Sequence, residues 1–496
     1  MTGAGAADLL PGEGATWADV LAGDAAWWLG LGDCRATLAA MPAGSVHCVV
    51  TSPPYFGLRD YGHAGQIGLE PTPDAYVAAL VATFAEVKRV LRDDGVAWLN
   101  LGDSFGDDTK WGGAPGGKAT GGLHGAPGIG RGKRETGALP GSLLGIPWRV
   151  ALALQADGWT LRQAVTWCKV APMPESVAGT RWERCRVKVA SQPPPTQGYA
   201  HATSMGDGRA RDNPGGGVGG PNAALTGAEW SPCPGCPRCA PNDGYVLRRG
   251  SWRHTSATEQ VFMLTKGMAY WADQEAVREA HGKPTRGRNP NGAVGVDYKS
   301  TTVGNTSGNH PTGFDGHLGF GPAGPAGRNP RNWVTPRPSP FPGAHFATFP
   351  PSLIEPFIRA TCPARCCPTC GAGWAPVVER AERPHVDPSD LDRYGTGEAG
   401  VHRKVGQAYQ DWKDANPDRV VAYRQTCACP PAAPVPGVCL DPFAGAGTTG
   451  LVSVQHFRRA LGIELNAAYR DMAAARIGAA CLARQPALFT LDDGAA

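Results

Sequence analysis

The chain has 496 residues, of which 69 are Gly and 46 are Pro, an excess that excludes a uniformly compact helical protein. A core of ordinary size is still available, because 42% of residues are hydrophobic and 15 are Trp. The net charge of +4 is too small to announce a nucleic-acid partner, but residues 151–340 carry 21 Lys and Arg against 13 Asp and Glu, so the basic charge is gathered mid-chain.

No apolar run approaches the length of a membrane span. The first twenty residues are acidic and show no secretory signal, so a cytoplasmic protein is expected. In that reducing setting the 15 cysteines are expected as core thiols, catalytic thiols or metal ligands rather than a disulfide framework.

Along the chain, Asp33 stands before a helix-like stretch, where a helix cap is one reading of it. Val46–Thr51 is apolar and β-branched, a short buried strand. Ser52-Pro53-Pro54-Tyr55 ends it, because two prolines cannot continue a ladder. Residues 73–92 are amphipathic at helical spacing, Asp93-Asp94-Gly95 reads as a turn, and 96–101 as another buried strand. Strand, helix and strand in succession predict a βαβ unit and a parallel sheet.

Residues 103–142 are mostly Gly, Lys, Thr and Pro and are expected to form a mobile loop. Order resumes over 143–167, with a helix followed by a strand. Residues 190–229 and 282–332 are again Gly/Pro/Asn-rich, and between them 258–266 reads as a core strand. The basic middle offers Arg248, Arg249, Trp252, Arg253 and His254, with Arg286, Arg288, Arg328, Arg331 and Arg337 in the loops around it. Such side chains suit phosphate contacts and bidentate contacts to guanine, although each is equally read as a solvated loop charge.

Two cysteine clusters flank and follow that middle. Cys233, Cys236 and Cys239 have Cys185 upstream; Cys367 and Cys370 have Cys427 and Cys429 downstream, with Cys362 and Cys366 as spares. Short paired spacings separated by a loop are the pattern of structural tetrahedral zinc, so two Zn2+ ions are expected. Each would staple a polar insertion that has no core of its own. Cys34, Cys48, Cys168, Cys439 and Cys481 stand in apolar contexts and are expected as core thiols.

Near the end, Val438–Asp441 reads as a strand, Asp441 to Thr449 as a Gly-rich turn and 448–456 as a helix. Residues 459–463 then read as a strand, Glu464 as an acid at its end and 467–475 as a helix. Gly445 and Gly447 allow a sharp turn and close approach of a ligand, and the helix start at Thr448 offers free N–H groups. An acid at Glu464 is where a nucleoside-binding fold holds ribose hydroxyls. The turn lacks the third Gly of the dinucleotide fingerprint and the Gly-Lys-Ser/Thr of a phosphate loop. A nucleoside with a carboxylate and no pyrophosphate fits better, and S-adenosylmethionine is one.

Thr51-Ser52-Pro53-Pro54-Tyr55 together with Asp441-Pro442-Phe443-Ala444-Gly445-Ala446-Gly447 resembles the site-specific DNA amino-methyltransferases, which methylate an exocyclic amine of cytosine or adenine. The Ser-Pro-Pro-Tyr element comes first, as in the permuted group called the β class. The resemblance implies a doubly wound, mostly parallel α/β sheet of the Rossmann-like methyltransferase type, to which the cysteine spacing adds zinc-bearing insertions. It implies three segments: 27–180 as the catalytic half, 181–340 as a basic target-recognition insertion with the first zinc site, and 341–480 as the cofactor half enclosing a second insertion, 362–430.

The resemblance assigns Ser52, Pro53, Pro54 and Tyr55 to the target base. Ser52 Oγ and the Pro53 carbonyl would accept from the amine, while Tyr55 would stack on a base turned out of the duplex. It assigns Asp33, Phe349, Asp441, Phe443, Gly445, Gly447, Thr448 and Glu464 to S-adenosylmethionine. Ser52 ahead of the prolines implies the N4 amine of cytosine, with adenine N6 as the runner-up. Double-stranded DNA is the expected substrate, and a cognate restriction endonuclease is a partner the resemblance allows. A different class stays open: a non-catalytic, zinc-containing nucleic-acid-binding protein, against which the intact motifs speak.

Overall fold

The computed structural model describes residues 15–58, 63, 65–106, 136–172, 179–189, 229–279, 329–336, 349–379, 416 and 418–483. Most of each expected loop (107–135, 190–228 and 280–328) lies outside these residues. The chain divides into two units: Met1–Val170 with Ala257–Ala496, and Ala171–Ser256.

In chain order the strands begin with β1 (Trp27–Leu31), β2 (Val46–Thr51), β3 (Leu91–Leu101), β4 (Thr160–Cys168), β5 (Arg181–Arg184), β6 (Arg186–Val189), β7 (Glu229–Pro232) and β8 (Tyr245–Arg248). They continue with β9 (Thr258–Thr265), β10 (Trp333–Val334), β11 (Ala375–Glu379), β12 (Arg419–Arg424), β13 (Val438–Asp441) and β14 (Arg459–Glu464). The helices are α1 (Trp17–Ala22), α2 (Cys34–Ala40), α3 (Pro73–Val90), α4 (Ile146–Ala156), α5 (Pro351–Thr361), α6 (Thr448–Gln455) and α7 (Ala467–Ala483).

The first unit is built on an eight-stranded sheet in the order β1-β14-β13-β2-β3-β9-β4-β10. Every neighbouring pair is parallel except the two made by β9, which runs against β3 and β4. The mostly parallel α/β sheet is therefore present. β9, inside the stretch expected to be the basic insertion, is one of its inner strands. β2 is buried along its whole length, as a strand covered on both faces must be. One face is covered by α2, α3 and α4, whose Leu38, Tyr76, Leu80, Phe84, Val150 and Leu154 are fully buried. The other is covered by α5, where Phe357 stacks on Trp98 with ring centroids 4.2 Å apart.

Two elements differ from expectation for local reasons. The turn expected at Asp93-Asp94-Gly95 lies within β3, which begins at Leu91 directly after α3. Pairing of Leu91 with Val46, across a register shift, draws these residues into the ladder, and Arg92 holds Asp94 at 2.7 Å. A Cβ at Gly95 would stand 2.9 Å from the His47 carbonyl, so glycine is required at this close approach. The last helix, expected over 467–475, runs on to Ala483 because its Ala-rich continuation favours helix.

The parallel strands set up a crevice. From β2 the chain goes to β3 on one side, and from β13 to β14 on the other, while β2 and β13 are neighbours. Ligands of open α/β sheets bind beyond the carboxyl ends of the strands at such a point. Among the described residues no helix is long and apolar enough to cross a membrane.

Candidate active site

A cavity of about 610 Å³ opens at that point. Its wall is made by the residues that leave the carboxyl ends of four parallel strands: Leu31 to Arg35 after β1, Ser52 to Tyr55 after β2, Asp441 to Ala446 after β13, and Glu464 to Tyr469 after β14. Ser52, Pro53, Pro54 and Tyr55, nearly 400 residues before the Gly-rich turn, share one cavity with it. Phe349 closes a further side.

Of the residues assigned to a cofactor, Asp33, Phe349, Asp441, Phe443, Gly445, Thr448 and Glu464 line this space; Gly447 does not. Gly447 has φ 72° and starts α6 in the left-handed conformation, and a Cβ there would stand 2.8 Å from the Ala473 Cβ on α7. Glycine there lets the turn pack closely against α7. Asp33 both caps α2, accepting from the Arg35 N–H at 2.9 Å, and pairs with the Arg35 guanidinium at 2.5 Å. That partner holds its carboxyl below the usual range. The Asp441 carboxylate is buried and accepts from the Thr51 hydroxyl at 2.7 Å and the Phe443 N–H at 3.1 Å. It clamps the end of β2 to the Gly-rich turn, and burial pushes its pKa up to about 7. Glu464 accepts from the Gly445 N–H at 2.7 Å and the Asn466 N–H at 2.9 Å, while burial pushes its pKa up. A carboxylate fixed in this way retains lone pairs for hydroxyl donors. Apolar walls with few placed polar groups, at this volume, suit a nucleoside-sized ligand.

At the other end of the cavity the Pro54 carbonyl accepts from the Tyr76 hydroxyl at 2.8 Å, anchoring the double proline to α3. The Pro53 carbonyl has no hydrogen-bond donor among the described residues, and Pro53 is a wall residue of the cavity. The Ser52 hydroxyl donates towards the Tyr55 oxygen at 3.4 Å and accepts from Asn100 Nδ2 at 3.4 Å, which leaves one lone pair for a donor in the cavity. Tyr55 in turn donates to Glu259 on β9 at 2.6 Å, and Asn100 on β3 donates to Tyr55 at 2.8 Å and to Glu259 at 3.0 Å. Lys169, past the end of β4, pairs with Glu259. Burial, reinforced by the Glu259 charge, drives the Tyr55 phenol well above its ordinary pKa, so it keeps its proton. Tyr76, Asn100, Glu259 and Lys169 were not anticipated. The only signal was a Glu inside an apolar strand, because its pairing with Tyr55 depends on β9 lying beside β3.

The two four-cysteine sets also assemble. Cys185, Cys233, Cys236 and Cys239 bring their sulfurs within 4.8 Å of one another in the second unit, as do Cys367, Cys370, Cys427 and Cys429 in the first. In the first set, Cys185–Cys236, Cys236–Cys239 and Cys239–Cys233 sulfur pairs lie 3.5 to 3.9 Å apart. A tetrahedron of sulfurs about 2.3 Å from a metal has edges of roughly 3.8 Å. Backbone N–H groups of Arg238 and Cys239 hold Cys236 down to about 6, and those of Cys370 and Thr369 do the same for Cys367. The spares do not join: Cys366 is buried beside Val435, and Cys362 lies in the core with Cys48 and Cys439. Cys34, Cys48 and Cys439 are buried core thiols, whereas Cys168 and Cys481 are half-buried.

In the second unit β5 and β6 flank Cys185 and pair with β8 and β7. Trp182 and Trp252 are 53% and 66% exposed there, and Arg184 lies over the Tyr245 ring. Arg331 is bound to Glu279 at 3.0 Å and packs on Trp333 in the first unit, while Arg286, Arg288, Arg328 and Arg337 lie outside the described residues.

The N6/N4 family model described as DNA methylase matches residues 46–365. Type II methyltransferase M.XycI of Xanthomonas campestris pv. cyanopsidis is 29% identical over 447 residues, covering 90% of this chain and 86% of its own length. M.Cfr9I of Citrobacter freundii is likewise 29% identical, over 446 residues, with the same coverage. Among solved structures, PvuII DNA methyltransferase (cytosine-N4-specific) is similar at a TM-score of 0.40 and 13% identity, covering 95% of this chain and 89% of that one. Because the family model spans well over half of the sequence, the chain belongs to the N6/N4 DNA methylase family.

Proposed function

We propose that this chain is a site-specific enzyme that methylates the N4 amine of cytosine in duplex DNA, with S-adenosylmethionine as methyl donor. The observation that carries this reading is the shared cavity, with Ser52 and the Pro53 carbonyl as acceptors at one end and Glu464 and the Gly-rich turn at the other. When bound, S-adenosylmethionine supplies an electrophilic methyl group on a sulfonium sulfur. Asp33, Phe349, Asp441, Phe443, Gly445, Thr448 and Glu464 would hold it, with Gly447 shaping the turn.

The chain's own residues supply positioning. An exocyclic amine is a poor nucleophile because its lone pair is conjugated with the ring. Two acceptors facing its two N–H bonds favour a more tetrahedral nitrogen. The double proline, tied to α3 through Tyr76, holds these acceptors still. Tyr55 packs on the base face. Ser52 ahead of the prolines favours cytosine over adenine.

The second unit, with the surrounding basic segments, is assigned to target recognition, through Arg248, Arg249, Trp252, Arg253 and His254. Both four-cysteine sets are assigned structural Zn2+, since purely thiolate sets leave no open position for catalysis. A restriction endonuclease with the same target sequence would be its partner.

Ser52→Ala and Tyr55→Ala test the site. Each is expected to lower methyl transfer to DNA by at least about 100-fold while S-adenosylmethionine binding, measured by calorimetry, is kept. Loss of cofactor binding in both would remove these residues from the base pocket.

A further inference from the structure

We propose that Glu259 is the final proton acceptor of the site, reached from the target amine through Ser52 and Tyr55. The inference rests on the reading that Ser52 faces the amine. Glu259 does not line the cavity; it lies behind Tyr55, on the strand that runs antiparallel to its neighbours.

The directions of the hydrogen bonds form one series. Ser52 donates to Tyr55, and Tyr55 donates to Glu259. Both hydroxyl donors point away from the cavity and towards a carboxylate, and Asn100 Nδ2 supports the series from the side, 3.4 Å from Ser52 Oγ, 2.8 Å from Tyr55 Oη and 3.0 Å from Glu259. The Ser52–Tyr55 separation of 3.4 Å is long for such a bond, and contacts of this kind shorten when substrate fills a site. The groups facing the Glu259 carboxylate are Tyr55 from the loop after β2, Asn100 from β3 and Lys169 from the end of β4. Asn100 and Lys169 offer only N–H donors, which suits an ionised carboxylate. Lys169 also lies over the Trp167 ring, 5.2 Å from its centroid.

An amine nitrogen that has gained a methyl group bears a positive charge and must lose a proton. That proton passes to Ser52 Oγ as the Ser52 hydrogen passes to Tyr55 Oη and the Tyr55 hydrogen to Glu259 Oε2. The N–H bonding pair stays on nitrogen as its lone pair. Ser52 and Tyr55 end as they began, and the carboxylate becomes a carboxylic acid that solvent later deprotonates. Tyr55 thus has two separable roles, an aromatic face for the base and a hydroxyl for the proton.

Tyr55→Phe keeps the ring and removes the link; Glu259→Gln keeps an acceptor for Tyr55 but cannot take the proton. Single-turnover methyl transfer at saturating S-adenosylmethionine is expected to fall about 100-fold in each. Cofactor affinity should stay within twofold of the parent. The double variant should be no slower than either single one, since both cut the same path. The decline of rate on acidification should be absent from Glu259→Gln. Parent-like rates and pH profile in Glu259→Gln, or losses that multiply in the double variant, would overturn the proposal. If Glu259→Gln does not fold, a parent-like rate in Tyr55→Phe overturns it alone. Failure of the underlying site reading looks different: Ser52→Ala and Tyr55→Ala would then methylate normally.

Discussion

Asp441, a wall residue of the cavity, turns its carboxylate to the Thr51 hydroxyl and the Phe443 N–H, out of water. Its folded-state value of about 7 lies above the ordinary carboxyl value of roughly 4. Below pH 4 the group is protonated whether the chain is folded or not. Between pH 4 and 7 the unfolded chain releases a proton that the folded chain keeps, so stability falls as pH rises through this window. Asp441→Asn keeps an acceptor for Thr51 and removes the charge. Its stability relative to the parent, from urea unfolding, should increase between pH 4 and pH 8 by at most about 4 kcal/mol. A difference that does not change with pH would contradict the assignment. Gly447→Ala meets both a left-handed backbone and the Ala473 side chain. It should cost about 2–4 kcal/mol in the same measurement, and a cost below 1 kcal/mol would show that α7 yields there.

At the scale of elements, much was legible. β2 and β13 were readable because short apolar runs end just before or at prolines, and α6 because Gly447 marks its start, which fixes those limits within a residue. The cavity's two motifs were readable for the same reason. What stayed hidden depends on neighbours remote in sequence. That Leu91 joins β3 follows from pairing with Val46, and Tyr76 is visible only as one apolar position of α3 until Pro54 is found beside it. Glu259 and Lys169 are ordinary charges in sequence and become part of the site because β9 lies between β3 and β4. The second cysteine set shows the same dependence. His47 on β2 donates to the Gly371 carbonyl at 2.9 Å and accepts from the Val438 N–H at 3.1 Å, while Arg92 donates to the Cys370 carbonyl at 2.7 Å. The cysteine loop is therefore docked on β2, which leads into Ser52, and on β3 beside it. Cys370→Ser should lower the melting temperature of the protein by several degrees; an unchanged value would mean the docking stands without the complete four-cysteine set.

Across the whole molecule, the Gly/Pro excess is concentrated in long connections between motifs that meet in one cavity. Hydrophobic burial builds the sheet and its covering helices, while each cysteine set gathers a segment of short two-stranded ribbons. Elemental analysis should give about two zinc ions per chain, and one in Cys236→Ser. A metal-free protein of full stability would remove zinc from the account. The methyl transfer itself is read out by nucleoside mass spectrometry of DNA from cells expressing the chain. N4-methylcytosine that disappears in Ser52→Ala is the predicted result. N6-methyladenine in its place would contradict the base assignment, and the absence of both from cells holding folded, DNA-binding protein would contradict the enzymatic reading.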